Sequence, residues 1–290
     1  MRPSLVSGPT GSLAAGHSPE HSPELSPGQA PPGLAGLRPV SLAQMNERAA
    51  LVTRTCRKYL VPIELMPELF AGAERDFGVL EIGGRTSFRY SSTYMDTPDL
   101  GTFHDHRQGR RLRYKVRTRT YVDTDTKMFE VKLKGARGIT DKVRLELPME
   151  TPSDRLTWRT REFLDRSLAG YRMATPDTLL AAAVTDYRRS TVVSSCGRER
   201  VTVDTELVGY RGDRSVRMRP DMVLLEVKTR GGLTRTEREL HRLGLREARF
   251  SKYAATLSTL EPGLRGNRWL RAMGHCLEFP ESVRSLHTGT

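Results

Sequence analysis

The sequence predicts an α+β protein whose antiparallel sheet curls into a closed β-barrel tunnel with a charged interior and flanking helices. Two segments, Phe129-Glu130-Val131-Lys132-Leu133-Lys134 and Leu225-Glu226-Val227-Lys228-Thr229-Arg230, alternate a charge with an apolar residue. A third sets Arg113, Lys115, Arg117 and Arg119 on one face, and a fourth sets Lys142, Arg144 and Glu146 opposite Val143, Leu145 and Leu147. Alternate side chains of a strand point to opposite faces, so each segment has one charged and one apolar face. A half-exposed antiparallel sheet would also alternate. Like charges directly opposite on paired strands repel, however, so several strands of one sign imply an anionic ligand that neutralises them. Closure turns the charged faces inward, packs the apolar faces against helices and removes exposed edges.

The elements follow in order along the chain. Residues 1–42 hold eight of the 17 prolines together with Ser, Gly and a repeated His-Ser-Pro-Glu. Such a segment buries too little apolar area to offset its ordering entropy and is expected to form a disordered tail. Order is expected from near Met45, with a strand over 53–61 and a helix opened by Pro62 that runs to Ala73. A strand is expected over 86–95, and Thr97-Pro98 signals a short helix leading into Arg110. Strands over 111–122, 127–135 and 139–148 form a meander joined by short turns. Helices are expected over 153–169, ending at Gly170, and over 177–184. Strands resume over 185–194, 199–205, 215–219 and 222–229. Thr234-Arg235-Thr236-Glu237 has capping-box spacing for a helix that Gly244 stops. The tunnel domain therefore spans 43–262, and 263–290 forms a tail or short helix.

Composition narrows the function. The formal charge is +13 with a pI near 10.0, which favours phosphate-rich partners. Of 47 cationic residues only eight are lysine. Where arginine is the default base, a lysine marks a position that suits a compact ammonium. Cys56, Cys196 and Cys276 are widely spaced with no zinc pattern, so a reducing cytoplasm is expected. No apolar run approaches the roughly 20 residues of a membrane span, and no secretory signal is evident.

The run Tyr94-Met95-Asp96-Thr97-Pro98-Asp99-Leu100, the strand ending Arg117-Thr118-Arg119-Thr120-Tyr121, the phrase Phe129-Glu130-Val131-Lys132, and Phe250-Ser251-Lys252-Tyr253 together resemble the VTC domain. That is the polyphosphate polymerase domain of the vacuolar transporter chaperone family, in the triphosphate tunnel metalloenzyme superfamily. The resemblance covers roughly residues 48–260. It implies an antiparallel tunnel of about eight strands that binds ATP with Mn²⁺ or Mg²⁺ and transfers the γ-phosphate to a growing inorganic polyphosphate chain. It also implies phosphate-clamp roles in catalysis for Lys58, Arg117, Arg119, Lys132, Lys142, Arg188, Arg200, Lys228 and Lys252. Glu226 matches the family's metal-binding carboxylate, and Glu130 is its counterpart in the other Glu-Val-Lys strand. Arg113, Lys115, Lys134, Arg144 and Ser251 join them as candidate phosphate contacts. Asp204 reads as a strand-end turn residue, with metal binding as the alternative, and Tyr187 as a packing residue.

Phosphoryl transfer needs alignment and charge neutralisation rather than a protein nucleophile, so the lack of a Ser-His-Asp arrangement does not exclude an enzyme. Hydrolytic and cyclase branches of the superfamily open on a Glu-x-Glu-x-Lys strand; here the aligned positions are Arg54, Cys56 and Lys58, which disfavours a triphosphatase. A non-catalytic tunnel that binds polyphosphate or nucleotide is the alternative. Nucleic acid is not an expected partner, because Glu130, Glu146 and Glu226 interrupt the cations and no aromatic platforms accompany them. The protein is not expected to span a membrane itself, so export of polymer would require a separate membrane-protein partner.

Overall fold

The structure, a computed structural model, describes residues 28–48, 55–135, 140–261, 263–264, 266 and 269–278. In chain order its elements are β1 (Arg38–Val40), α1 (Leu42–Arg48), β2 (Thr55–Pro62), α2 (Met66–Leu69), β3 (Phe77–Leu80), β4 (Phe88–Asp96), α3 (Gly101–Gln108), β5 (Arg113–Tyr121), β6 (Thr126–Lys134), β7 (Thr140–Leu147), α4 (Trp158–Ala169), β8 (Leu180–Ser194), β9 (Glu199–Arg211), β10 (Arg214–Met218), β11 (Met222–Thr229), α5 (Arg235–Arg242), α6 (Lys252–Leu260), α7 (Leu270–Cys276) and β12 (Leu277–Glu278).

All the strands belong to one twelve-stranded sheet. Its central path runs β2-β11-β9-β8-β4-β5-β6-β7, every neighbour antiparallel. The outer face is apolar as the alternation requires. Val116, Phe129, Val131 and Leu133 pack under Leu164 and Leu168 of α4, while Tyr59, Val201, Val203, Leu225 and Val227 pack with Leu240 of α5. Each fully buried aliphatic side chain contributes about 1.5–3 kcal/mol over its exposed state.

The expectation of a closed barrel is corrected: among the described residues no pairing joins β7 to β2, and the sheet stays open along that line. The free edge of β2 is met by coil instead of a strand. Ala248 N donates to the Lys58 carbonyl (2.7 Å), and Lys58 Nζ donates to the Phe250 carbonyl (2.8 Å). The segment between α5 and α6 therefore takes the hydrogen bonds that a closing strand would have made.

Three other expectations change. Residues 28–42 do not behave as a tail: Leu34 and Leu37 are buried in the core with Met66 and Phe70, and β1 pairs with β3. Residues 1–27 lie outside the described residues. The helix expected over 62–73 is only a 3₁₀ turn at Ile63–Leu65 followed by α2. The helix expected over 177–184 is instead the start of β8, where Ala183 pairs with Tyr94 and Ala181 with Met95. Cross-strand pairing outweighs the helix propensity of an alanine run. The capping box is present as read, with Glu237 N donating to Thr234 Oγ1 (3.2 Å) and Thr234 N to Glu237 Oε2 (3.0 Å).

Candidate functional site

Register sets the charged face in rungs. Arg113 lies opposite Lys134; Lys115, Lys132 and Lys142 share one rung; Arg117, Glu130 and Arg144 share the next. Across the sheet, Lys58, Glu226 and Thr202 form a rung, as do Cys56, Lys228 and Arg200. The path between the two groups is completed by Tyr90, Ser92 and Tyr94 of β4, Tyr187 and Arg189 of β8, and Asp204 of β9.

Three carboxylates organise these cations. Glu130, 1 % exposed, receives Arg117 Nε (2.6 Å) and the Lys142 ammonium, with Arg119 Nε at 3.9 Å. Burial alone would raise its pKa, but Arg117, Arg119 and Lys142 hold it far below the usual carboxylate range. Asp204 receives the Arg189 guanidinium two-pronged (Nε to Oδ1 2.6 Å, Nη2 to Oδ2 2.8 Å) and the Lys252 ammonium. There too burial opposes ionisation, and Arg189 and Lys252 prevail, bringing the carboxyl to about 2. Glu226 accepts the Cys56 thiol and lies 3.5 Å from Lys228 Nζ. It is held well below the carboxylate range because Lys228 and Lys58 outweigh its burial.

The remaining ammoniums are crowded together. Lys115 Nζ reaches Ser251 Oγ (3.2 Å), and burial followed by the charges of Lys132 and Lys58 pulls its pKa well down. Lys132 is open to solvent inside the concave face, yet enclosure by protein atoms and then Lys58 lower its pKa. Enclosure by protein atoms brings Lys142, still open to solvent, down to about 7, and burial brings Lys228 to about 8, against the pull of Glu130 and Glu226 respectively. Aromatic faces hold several cations in place, with Arg119 and Arg189 over Tyr90 and Lys252 over Tyr187 at 4.5 Å.

Ser251 and Lys252 are delivered by the start of α6. Ser251 caps that helix by accepting from Ala254 N (3.4 Å), and Tyr253 donates to Asp96 at the end of β4. The Asp96 carboxylate also accepts from the Thr102 (2.8 Å) and Phe103 (2.9 Å) amides of α3, so one buried anion ties three elements behind the charged face.

Of the residues singled out from the sequence, the structure gathers Lys58, Arg117, Arg119, Lys132, Lys142, Lys228, Lys252, Lys115, Ser251, Glu226 and Glu130 on one concave face. Arg113, Lys134, Arg144 and Arg200 occupy its rim positions by register. Arg188 is not brought there: it lies opposite Arg89 and Thr205 on the other face and pairs with Glu206 at 2.9 Å. Its neighbour Arg189 takes the inward position. The sequence does not single out Arg189 or Tyr90, and the expectation of a strand-end turn at Asp204 is corrected: it lies within β9 facing the cations, a position that Val201 and Val203 make legible by fixing the phase of the strand.

For a divalent metal the donors differ. No group of three or more His, Cys, Asp or Glu occurs among the described residues. Glu130 is enclosed by cations and does not suit a metal. Glu226 fits as a single carboxylate ligand, the arrangement in which Mg²⁺ takes its other oxygens from substrate phosphates and water.

Fold and site together define an antiparallel sheet domain with a cation-lined concave face. The chain belongs to the VTC-domain family, whose model matches residues 53–261. No curated protein matches it. Solved structures similar to it include the PH1012 protein of Pyrococcus horikoshii OT3, 12 % identical over 69 % of this chain and 98 % of that one, with a TM-score of 0.39. A second is a Hippeastrum protein described as a putative adenylyl cyclase, HpAC1, with dominant triphosphatase activity. It is 14 % identical over 71 % of this chain and 96 % of that one, with a TM-score of 0.42. No helix among the described residues is long and apolar enough to cross a membrane.

Proposed function

We propose that this chain is an ATP-dependent polyphosphate polymerase that transfers a nucleotide γ-phosphate to a growing inorganic polyphosphate chain. The observation that carries the reading is the convergence of Lys58, Lys115, Arg117, Arg119, Lys132 and Lys252 from three strands and a helix start onto one concave face. Cys56, whose thiol donates to Glu226, is held protonated by burial and by that carboxylate, its pKa raised to about 11, and phosphoryl transfer needs no protein nucleophile. Arg117 and Arg119, aimed by Glu130 and Tyr90, offer planar forks to a phosphate's oxygens; Lys58, Lys115 and Lys132 offer compact charges that neutralise the transferring group. Glu130 and Asp204 set the positions of these cations before substrate arrives, which removes reorganisation from the reaction step.

Mg²⁺ or Mn²⁺, when bound, would be held by Glu226 and would supply further neutralisation of phosphate charge. Lys228, beside Glu226, would then face the same phosphates. The protein works in the cytoplasm in this reading, with a separate membrane protein as partner if the polymer is exported. Incubating the chain with ATP and Mn²⁺, alongside Lys132→Ala and Glu226→Ala, tests it by gel staining of polymer. Polymer from the wild type alone supports polymerase chemistry. No polymer but retained tripolyphosphate binding would replace it with a binding protein.

A further inference from the structure

The sheet ends in edges of unequal protection. β12 holds two residues and β1 three, and the edge of β2 is met by coil at Ala248. β7 differs from all of these: it is the last strand of the central path, runs eight residues over Thr140–Leu147, contains neither Pro nor Gly, and pairs with β6 in unbroken register. Among the described residues no backbone hydrogen bond reaches its other side. A long regular edge is a template for another strand unless charges, bulges, prolines or a covering element guard it. The only guard on β7 is charge, and its charges suit one particular partner.

Asp141, Lys142, Arg144 and Glu146 sum to zero in a chain of net charge +13, and all four are exposed. Among the described residues neither Arg144 nor Glu146 has an ion-pair partner. Two copies of the strand laid antiparallel match face to face only when opposed positions differ by an even number. Few registers centred inside the strand remain. Centred on Asp141, Lys142, Arg144 or Glu146, the pair sets that charge against its own copy; centred on Val143, it sets Lys142 against Arg144. Like charges directly opposite repel. Centred on Leu145, Arg144 of each copy faces Glu146 of the other, Val143 faces Leu147, and no like charges meet.

We propose that β7 joins two copies of this chain, strand against strand, across a two-fold axis at Leu145. The contact is self-complementary, as a two-fold interface must be. It also covers apolar area that one copy leaves open, because Val143 and Leu145 are only half-buried beside Leu164 and Leu168 of α4. In the pair these residues meet Leu147 and Leu145 of the second copy on the outer face, while the two Arg144–Glu146 pairs form on the charged face. Residues 143–147 of each copy make a smaller contact than the roughly 800 Å² per partner of a standard interface, so association depends on concentration in the micromolar range or above. The inference stands independently of the phosphate reading.

Sedimentation equilibrium of the full chain over a range of concentrations tests it. The mass of the wild type is expected to approach twice the 32.6 kDa of the chain as concentration rises. Glu146→Arg sets arginine against arginine on both sides of the axis and should raise the dimer Kd at least about tenfold. Exchanging the charges, with Arg144→Glu and Glu146→Arg in one chain, restores opposite pairs and should restore association; a merely structural effect of either substitution would not be reversed by the other. A wild type that stays monomeric throughout, a dimer that Glu146→Arg leaves unchanged, or an exchange that fails to restore association would each overturn the proposal.

Discussion

Asp204 is the residue on which most of the inner wall depends. Its carboxylate, 0 % exposed, satisfies Arg189 in two-pronged geometry and also Lys252, so its removal leaves two enclosed cations facing each other. Breaking a buried pair from one side typically destabilises by about 3–5 kcal/mol, and Asp204→Ala is expected to fall in that range in denaturant unfolding. A loss below about 1 kcal/mol would mean that water already screens the pair. Lys142 gives a test in pH. Enclosure by protein atoms lowers its pKa to about 7, so the ammonium that attracts phosphate is present below that value and lost above it. The ratio of wild-type to Lys142→Met affinity for tripolyphosphate is therefore expected to fall between pH 7 and 9; the ligand's last proton also leaves in this range, and its effect cancels in the ratio. Folding runs the other way: the unfolded lysine keeps its proton up to about 10.5, so this residue makes stability rise with pH between those values. The adjacent pair Arg188 and Arg189 shows what single residues hide in sequence. Neighbours in a strand face opposite ways, and the phase of β8 is set by register shifts near Tyr94 and Asp186 that its own residues do not announce.

At the scale of elements, α6 determines where Ser251 and Lys252 meet the phosphate face. Gly209 lies beneath it with no room for a methyl group. Gly209→Ala is expected to push the helix outward, costing about 1–3 kcal/mol as overpacking does, and to weaken tripolyphosphate binding by displacing Lys252. Thermal unfolding and calorimetry on the same variant separate the two effects; unchanged binding would show that α6 does not position the site. Sequence missed this helix for a physical reason: it is buried nearly all round, so it has no polar face and no 3.6-residue period to read. The meander β5-β6-β7 and α5 were legible because each carries its own signal, alternation in one case and Thr234 with Glu237 in the other. The start of β8 was not, since Leu179-Leu180-Ala181-Ala182-Ala183 looks helical until β4 is beside it.

For the whole molecule, alternation revealed a charged face but not whether the sheet closes, because closure depends on which segment reaches the edge of β2, and coil at Ala248 reaches it first. The result is an open basin whose like charges repel one another until an anion arrives. Glu130, Asp204 and Glu226 offset part of that repulsion, and the excess cations remain as a standing destabilisation that ligand binding relieves. Tripolyphosphate at a hundredfold over its Kd should therefore stabilise the fold by about 2.7 kcal/mol, a rise of several degrees in Tm. The sheet geometry sets how salt acts on this. Cations packed on one face lie within a Debye length of about 10 Å at 0.1 M salt but are largely screened at about 3 Å in 1 M salt. Tm is thus expected to rise with salt in the free protein, while the increment from tripolyphosphate shrinks. An increment that survives unchanged at 1 M salt would mean that shape and hydrogen bonding, rather than the concentrated charge of the basin, hold the ligand.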